Sequence, residues 1–308
     1  MSGPWMYTMA GTTIHSALEL RELRQVEPGL EGNIDLFVTA SVVATLPVNP
    51  AEKNDELWWE QTPDGFQNVV DGHLAMVLST DGRSLHVDYL QSTHGDLIAH
   101  LIVDHALARA LSLHGRTVLH ATCVVDRGRT YGFLGSTGMG KSTLAMSFVA
   151  DGAMLVADDC LVIDATPGQP IMVLPTYSSA RLLPDSLAAF PELLAKSSGM
   201  TVGKSRVLTR PISQPVALDA LFVLRRDPSP AAQVCIDPVS RAAALWELAR
   251  HSFSGAQQSC SGAPPMALLI AARPVAESVR VFSLLYPSSF DALCEVRQAI
   301  HFLRGGEL

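Results

Sequence analysis

The sequence predicts an α/β chain, with a smaller β-rich module over residues 1–92 ahead of an α/β domain over residues 93–308. Three observations predict it. Between residues 130 and 159 a short apolar run, a glycine-rich loop, a helical stretch and a second apolar run follow one another, the order of a strand–loop–helix–strand unit. Before residue 92 the apolar residues come in short runs separated by turn residues. After residue 215, strand-like runs at 218–224 and 279–285 alternate with helical stretches, one opening at Asp237-Pro238 and one over 289–303.

Bulk properties narrow the class. A chain of 308 residues is long enough for two domains or one large one. Apolar residues make up 48%, ample for a core. No stretch approaches the ~20 apolar residues of a membrane-spanning helix, so no membrane partner is expected. The N-terminus has no basic segment followed by an apolar one, so no signal peptide is expected. Twenty-two basic residues stand against 30 acidic, a net charge of −8, which argues against a protein that coats nucleic acid. The five cysteines (Cys123, Cys160, Cys235, Cys260 and Cys294) are far apart and include no C-x-x-C. Neither a zinc site nor a disulfide framework is expected; free thiols in the cytoplasm are.

In the first module, residues 34–38 and 42–46 read as two short strands. Residues 74–78 and 85–90 flank Asp81-Gly82 and read as a hairpin. Trp58-Trp59 and Pro63-Asp64-Gly65 lie in a stretch read as irregular. The Trp pair suits either a peptide-docking surface or a core or interface position. His73 and His86 read as ordinary strand or turn residues. Leu97, Ile98, Leu101, Ile102, Ala106 and Leu113 recur at helical spacing, so residues 96–114 read as a helix bridging the two domains, with Gly115 just past its end. Its histidines, His100, His105 and His114, form no regular metal-binding pair. Residues 116–125 return to a strand, and His120 sits inside it.

The chain is organised around the next stretch. Gly135-Ser136-Thr137-Gly138-Met139-Gly140-Lys141-Ser142 fits the pattern G-x-x-x-x-G-K-[ST], between a strand at 130–134 and a helix at 142–150 that begins Ser142-Thr143. Glycines without Cβ let the backbone bend and aim successive N–H groups at phosphate oxygens. The helix directs its positive end at the same anion. Lys141 supplies a mobile charge for the β/γ-phosphates, and the Ser142 hydroxyl suits Mg²⁺. Asp151-Gly152 stops the helix, a strand follows at 153–157, and Asp158-Asp159 stands at its end. A carboxylate close behind a phosphate loop is where phosphoryl transfer needs a metal ligand or a general base. Adjacent strand residues point to opposite faces, so both reach one site only if the strand ends or kinks there. ATP and Mg²⁺ are the cofactors this pattern implies.

These residues resemble the catalytic domain of HPr kinase/phosphorylase. The likeness lies in Leu119-His120-Ala121, in GSTGMGKS at 135–142, and in Leu155-Val-Ala-Asp158-Asp159. The chain is more similar still to the small HPr-kinase-like enzymes of lasso-peptide biosynthesis, through 175–185, which holds Arg181, and through Leu221-Phe-Val-Leu224. The resemblance covers roughly residues 5–300 and is concentrated at 115–185. It implies an ATP-dependent kinase acting on a serine hydroxyl, with Asp158 as the base and Asp159 orienting Mg²⁺ beside Ser142, or the two exchanged. It gives His120 a place near the nucleotide and makes Arg181 a contact for phosphate or peptide. It also implies a peptide acceptor phosphorylated at its C-terminal serine, and a homo-oligomer, as HPr kinases are. The glycine- and arginine-bearing segment tied to phosphorolysis in HPr kinase/phosphorylase is not found here, nor its usual N-terminal domain. Both departures count against HPr as the substrate.

Downstream, residues 162–164 and 171–174 read as strands and 175–185 as a loop. Residues 194–215, rich in Gly, Ser, Lys and Pro, read either as a lid over the site or as a solvated linker. Lys204 and Arg206 are its candidate phosphate contacts. Asp237 is expected to cap a helix with Pro238 at its first position, and Ser289 to cap the last helix. A phosphate-loop ATPase, an HPr-type protein kinase and a small-molecule kinase are the alternative functions.

Overall fold

The computed structural model describes residues 5–26, 34–47, 59–201, 203–229, 233–253 and 264–303. The chain divides into two compact units, one of residues 1–118 and 253–263, the other of residues 119–252 and 264–308. The division falls after Val118 rather than at residue 92, so the helix expected with the α/β domain belongs to the first unit.

The first unit is built on an eight-stranded sheet. Its strands are β1 (Trp5–Met9), β2 (Thr12–Ser16), β3 (Arg24–Gln25), β4 (Leu36–Val43), β5 (Glu60–Thr62), β6 (Gly65–Val70), β7 (Leu74–Ser79) and β8 (Ser84–Leu90), ordered β3-β1-β2-β4-β8-β7-β6-β5. The β7–β8 hairpin turns at Asp81-Gly82 as expected, with Gly82 at φ +71°. The two strands expected at 34–38 and 42–46 are one continuous strand, β4. The stretch expected to be irregular folds as the β5–β6 hairpin, and Gly65 at its turn lies so close to β7 that a Cβ there would be 2.0 Å from the Leu78 carbonyl oxygen. Trp59 is buried beneath the Arg109 guanidinium, 5.2 Å from its ring centroid, so it serves the core and not a docking surface. Trp58 lies outside the described residues.

The helix after β8 is not uniform. α1 (Gly95–Leu101) and α2 (Leu107–Leu113) are joined by a π-helical turn at Ile102–Ala106. Gly115, at φ +82°, ends it as expected. The strand expected at 116–125 is broken at His120 into β9 (Thr117–Leu119) and β10 (Ala121–Asp126).

The second unit is centred on a six-stranded sheet. After β10 come β11 (Arg129–Leu134), α3 (Lys141–Ala150), β12 (Met154–Ala157), β13 (Leu161–Asp164), β14 (Met172–Leu174), β15 (Ser179–Leu182), α4 (Pro184–Ala188), α5 (Pro191–Leu194), β16 (Ser197–Thr201), β17 (Lys204–Leu208), β18 (Val216–Ala217), β19 (Ala220–Asp227), β20 (Cys235–Pro238), α6 (Arg241–Arg250), α7 (Met266–Ser278), β21 (Arg280–Pro287) and α8 (Ala292–Phe302). The sheet order is β12-β10-β11-β19-β21-β20, and β11, β19 and β21 are parallel. Both faces are covered, as buried parallel strands require. Tyr131, Phe133, Phe222, Phe282 and Leu284 enter one core with Leu144 and Phe148 of α3 and Val296 of α8. The alternate residues Leu134, Leu221, Val223 and Val281 enter the other with Leu248 of α6 and Ala272 of α7. The period of two along each strand builds both cores.

Several expectations are corrected. Residues 175–185 are not a loop: they contain β15 and the start of α4, with Pro184 at the first helical position. Residues 194–215 are not a solvated linker, since β16 and β17 within them pair with β15 in a three-stranded antiparallel sheet. Val207 and Ala180 anchor that sheet in the α3-side core. Asp237 and Pro238 end a strand, and Ser240 caps α6 instead, its Oγ accepting from the Ala243 N–H at 3.3 Å. Asp291 stands at the N-cap of α8, and Ser289 Oγ accepts from its N–H. Helix α7 was not expected. Cys260 lies outside the described residues. No helix among the described residues is long and apolar enough to cross a membrane.

Candidate active site

The site forms where β11 ends. Its glycine loop passes into α3 through Gly138 and Gly140, at φ +85° and +87°, which an L-residue with a Cβ adopts only at a cost. Gly135 is buried, whereas Ser136, Thr137 and Gly138 are exposed, and the Met139 N–H closes a turn onto the Ser136 carbonyl at 3.1 Å. Lys141 is the first residue of α3, and its side chain is folded inward and buried. Its Nζ donates to the Gly135 carbonyl at 2.9 Å and to His120 Nε2 at 2.9 Å. Burial holds the Lys141 ammonium below its ordinary pKa, while Asp159 and Asp158 push it back up and Lys204 pushes it down.

Ser142 and Asp158 are joined directly. Asp158 is buried, and its Oδ1 accepts from Ser142 Oγ at 2.8 Å and from Thr122 Oγ1 at 2.7 Å. Its Oδ2 accepts from the Arg181 backbone N–H at 3.3 Å. Asp159 turns elsewhere. The strand ends at Ala157, and the Cys160 N–H donates to the Asp158 carbonyl at 2.7 Å across Asp159, whose φ is +57°. This is a γ-type turn, a strained shape that Asp tolerates better than most residues. The Tyr177 hydroxyl donates to the same Asp158 carbonyl. The kink resolves the facing problem raised by the adjacent carboxylates. Asp158 points to the loop serine, and Asp159 points to His120, its Oδ1 3.7 Å from Nδ1.

His120 thus lies between Lys141 and Asp159. An ammonium has no acceptor lone pair, so Nε2 accepts from it and the imidazole proton sits on Nδ1, toward Asp159. The break between β9 and β10 frees the His120 N–H, which donates to the His251 carbonyl at 2.7 Å. His251 is a residue that sequence reasoning missed. Burial above all, with the Lys141 ammonium nearby, pushes its pKa down to about 3. It is therefore neutral, and its 3.7 Å approach to Glu247 is a polar contact rather than an ion pair.

The remaining candidates separate. Thr143 faces away, its Oγ1 3.0 Å from Ser186 Oγ. Arg181 and Arg206 are directly paired across β15 and β17. Since Ala180 and Val207 point into the core, Arg181, Arg206 and Lys204 share the opposite face. Thr122, Tyr177, Arg226 and Tyr286 were also missed. Each is brought to the site by strand pairing or a fold-back, which leaves no local signature.

The donor set fits a nucleotide with Mg²⁺. Ser142 and Asp158 supply hard oxygen ligands, and Mg²⁺ needs few protein ligands because phosphates and water complete its shell. No cluster of three or more His, Cys, Asp or Glu side chains suited to a metal occurs among the described residues. The loop glycines and the α3 N-terminus are of the kind that suits an anion.

No family model and no curated protein matches the chain. Among solved structures it is similar to the HPr(Ser) kinase/phosphatase from Coxiella burnetii, at 13% identity and a TM-score of 0.31, over 61% of this chain and 93% of that one.

Proposed function

We propose that the chain is an ATP-dependent phosphotransferase that moves the γ-phosphoryl group of ATP onto a serine hydroxyl. The acceptor in this reading is a ribosomal peptide of the lasso-precursor class, modified at its C-terminal serine. One observation carries the reading: the loop lysine and the loop serine each meet one arm of a divided carboxylate pair, Lys141 through His120 to Asp159 and Ser142 directly to Asp158.

In the transfer, the bond between Pγ and the β,γ-bridging oxygen breaks and its electron pair leaves with ADP. A bond from serine Oγ to Pγ forms, and the serine proton passes to a carboxylate. Asp159 is that base here, and Asp158 is a metal ligand, the exchange of the roles first assigned from the resemblance. The reason is access. Asp158 is buried against the loop serine, which donates to its Oδ1. The Asp159 side chain is 25% exposed and reachable by an acceptor. His120 stands behind Asp159, its Nδ1 3.7 Å from Oδ1. Lys141 exchanges the Gly135 carbonyl for phosphate oxygen. Ser142 and Asp158 would hold Mg²⁺, which when bound would neutralise phosphate charge. Arg181, Lys204 and Arg206 present further positive charge on one face of the hairpin for the phosphates or the acceptor.

The test is mass spectrometry after incubation with Mg²⁺-ATP and two acceptors in parallel: a lasso-type precursor peptide ending in serine, and HPr. Phosphate on the terminal serine with HPr unmodified is the expected result. Phosphate on HPr alone would make the chain an HPr-type kinase. ADP formation with neither acceptor labelled would make it an ATPase or small-molecule kinase.

A further inference from the structure

The glycine loop is held from outside by two side chains that lie beyond its motif. The register of the parallel strands aligns Leu134 with Val223, and Arg226 with Tyr286. β11 ends at Leu134, where the loop begins, while β19 and β21 run on to Asp227 and Pro287. Their last residues therefore flank the loop. Phe222 and Leu224 on β19, and Phe282 and Leu284 on β21, enter the α3-side core, so Arg226 and Tyr286 continue the same face. From there the Tyr286 hydroxyl donates to the Met139 carbonyl at 2.8 Å, and Arg226 Nη1 donates to the Gly138 carbonyl at 3.3 Å.

Two consecutive carbonyls of the loop are thus drawn toward β19 and β21. A backbone that aims its N–H groups at an anion must satisfy its carbonyls elsewhere. The fit is close: a Cβ on Gly140 would lie 2.8 Å from the Tyr286 oxygen. Burial pushes the Tyr286 phenol up to about 12, against a smaller opposing effect of Arg226, so the hydroxyl keeps its donor proton at neutral pH.

We propose that Arg226 and Tyr286 are positioning residues that clamp the Gly138 and Met139 carbonyls outward and so preset the loop amides for nucleotide phosphates. The proposal rests on the phosphate-loop reading above. Such presetting lowers the ordering cost at binding, so it acts on affinity rather than on chemistry.

Tyr286→Phe keeps the ring and its packing and removes only the donor. Titration of the full chain with a fluorescent ATP analogue and Mg²⁺ needs no acceptor. The expected result is a dissociation constant raised about 3- to 10-fold, the size of one lost buried hydrogen bond. ADP release at saturating ATP should change by less than about twofold. Arg226→Gln, at an exposed position, should weaken binding in the same sense. The double variant should lose less than the product of the single losses, because both side chains hold one loop. Wild-type binding unmoved by Tyr286→Phe would overturn the clamp alone, as would slower ADP release at unchanged affinity. No binding by the wild-type chain would overturn the phosphate-loop reading and the clamp with it.

Discussion

The division of labour between Asp158 and Asp159 is the sharpest expectation. In Asp158→Asn an amide nitrogen replaces one carboxylate oxygen. The remaining oxygen can still accept from Ser142 and Thr122, but the amide then meets the Arg181 N–H, donor against donor. A buried donor left unsatisfied costs about 1–3 kcal/mol. For a unit of this size that corresponds to a fall in melting temperature of about 2–12 °C. A neutral amide is also a poor Mg²⁺ ligand, so the Mg²⁺ dependence of ATP binding should weaken. Asp159→Asn should behave differently. Asn accepts a positive φ as readily as Asp, so the turn at φ +57° survives and stability should change by less than about 1 kcal/mol. ATP affinity should persist, while transfer falls by roughly 10²- to 10⁴-fold through loss of the base. Thermal scans, ATP titrations at several Mg²⁺ concentrations and mass-spectrometric transfer rates on both variants provide the comparison. If Asp158→Asn keeps stability and Mg²⁺-ATP affinity but loses transfer, and Asp159→Asn does the opposite, the assignment by access is wrong and the roles exchange.

Lys141→Ala should lower transfer by about 10²- to 10³-fold or more and weaken ATP binding, since it removes the charge that the proposed mechanism gives to the phosphates; an unchanged rate would take the loop out of the mechanism. Gly140→Ala should lose more stability and ATP affinity than Gly138→Ala. Both glycines have φ near +86°, but only the Gly140 Cβ meets an obstacle, the Tyr286 hydroxyl at 2.8 Å. Equal losses in a thermal scan and ATP titration would dismiss the steric contribution. Stability should fall on acidification below the unfolded pKa of His251. The folded pKa is depressed from 6.5 to about 3, so below about pH 6.5 the unfolded chain takes up a proton that the folded chain refuses. The loss should reach about 2 kcal/mol by pH 5 from this residue. Urea midpoints at pH 8 and pH 5, compared with those of His251→Gln, read it directly, and an identical pH dependence in the variant would refute it.

The strand–loop–helix unit was legible because its signals are local. Gly138 and Gly140 supply backbone shapes that other residues resist, Lys141-Ser142 opens a helix buried over most of its length, and the apolar runs on either side are short and bounded by turn residues, as buried strands are. The β7–β8 hairpin was legible for the same reason, through Asp81-Gly82. Elsewhere local signals misled. Residues 194–215 look unstructured by composition, yet Val207 and its partner Ala180 commit them to a sheet whose pairing depends on residues some 25 positions earlier. Asp237-Pro238 carries the signature of a helix start, but pairing with β21 holds it as a strand.

The sequence by itself determined which residue types stand at the loop and that two carboxylates follow them at the end of a strand. It could not say which way either carboxylate faces, because that rests on one backbone turn at Asp159 and on donors from four separate segments: Thr122, Ser142, Tyr177 and Arg181. Nor could it associate Arg226 and Tyr286 with the loop, since their distance along the chain is cancelled only by the register of three parallel strands. Periodicity and turn chemistry act over a few residues and are written locally. Strand register and side-chain facing are set by burial on both faces of the whole sheet, so only the tertiary structure decided them.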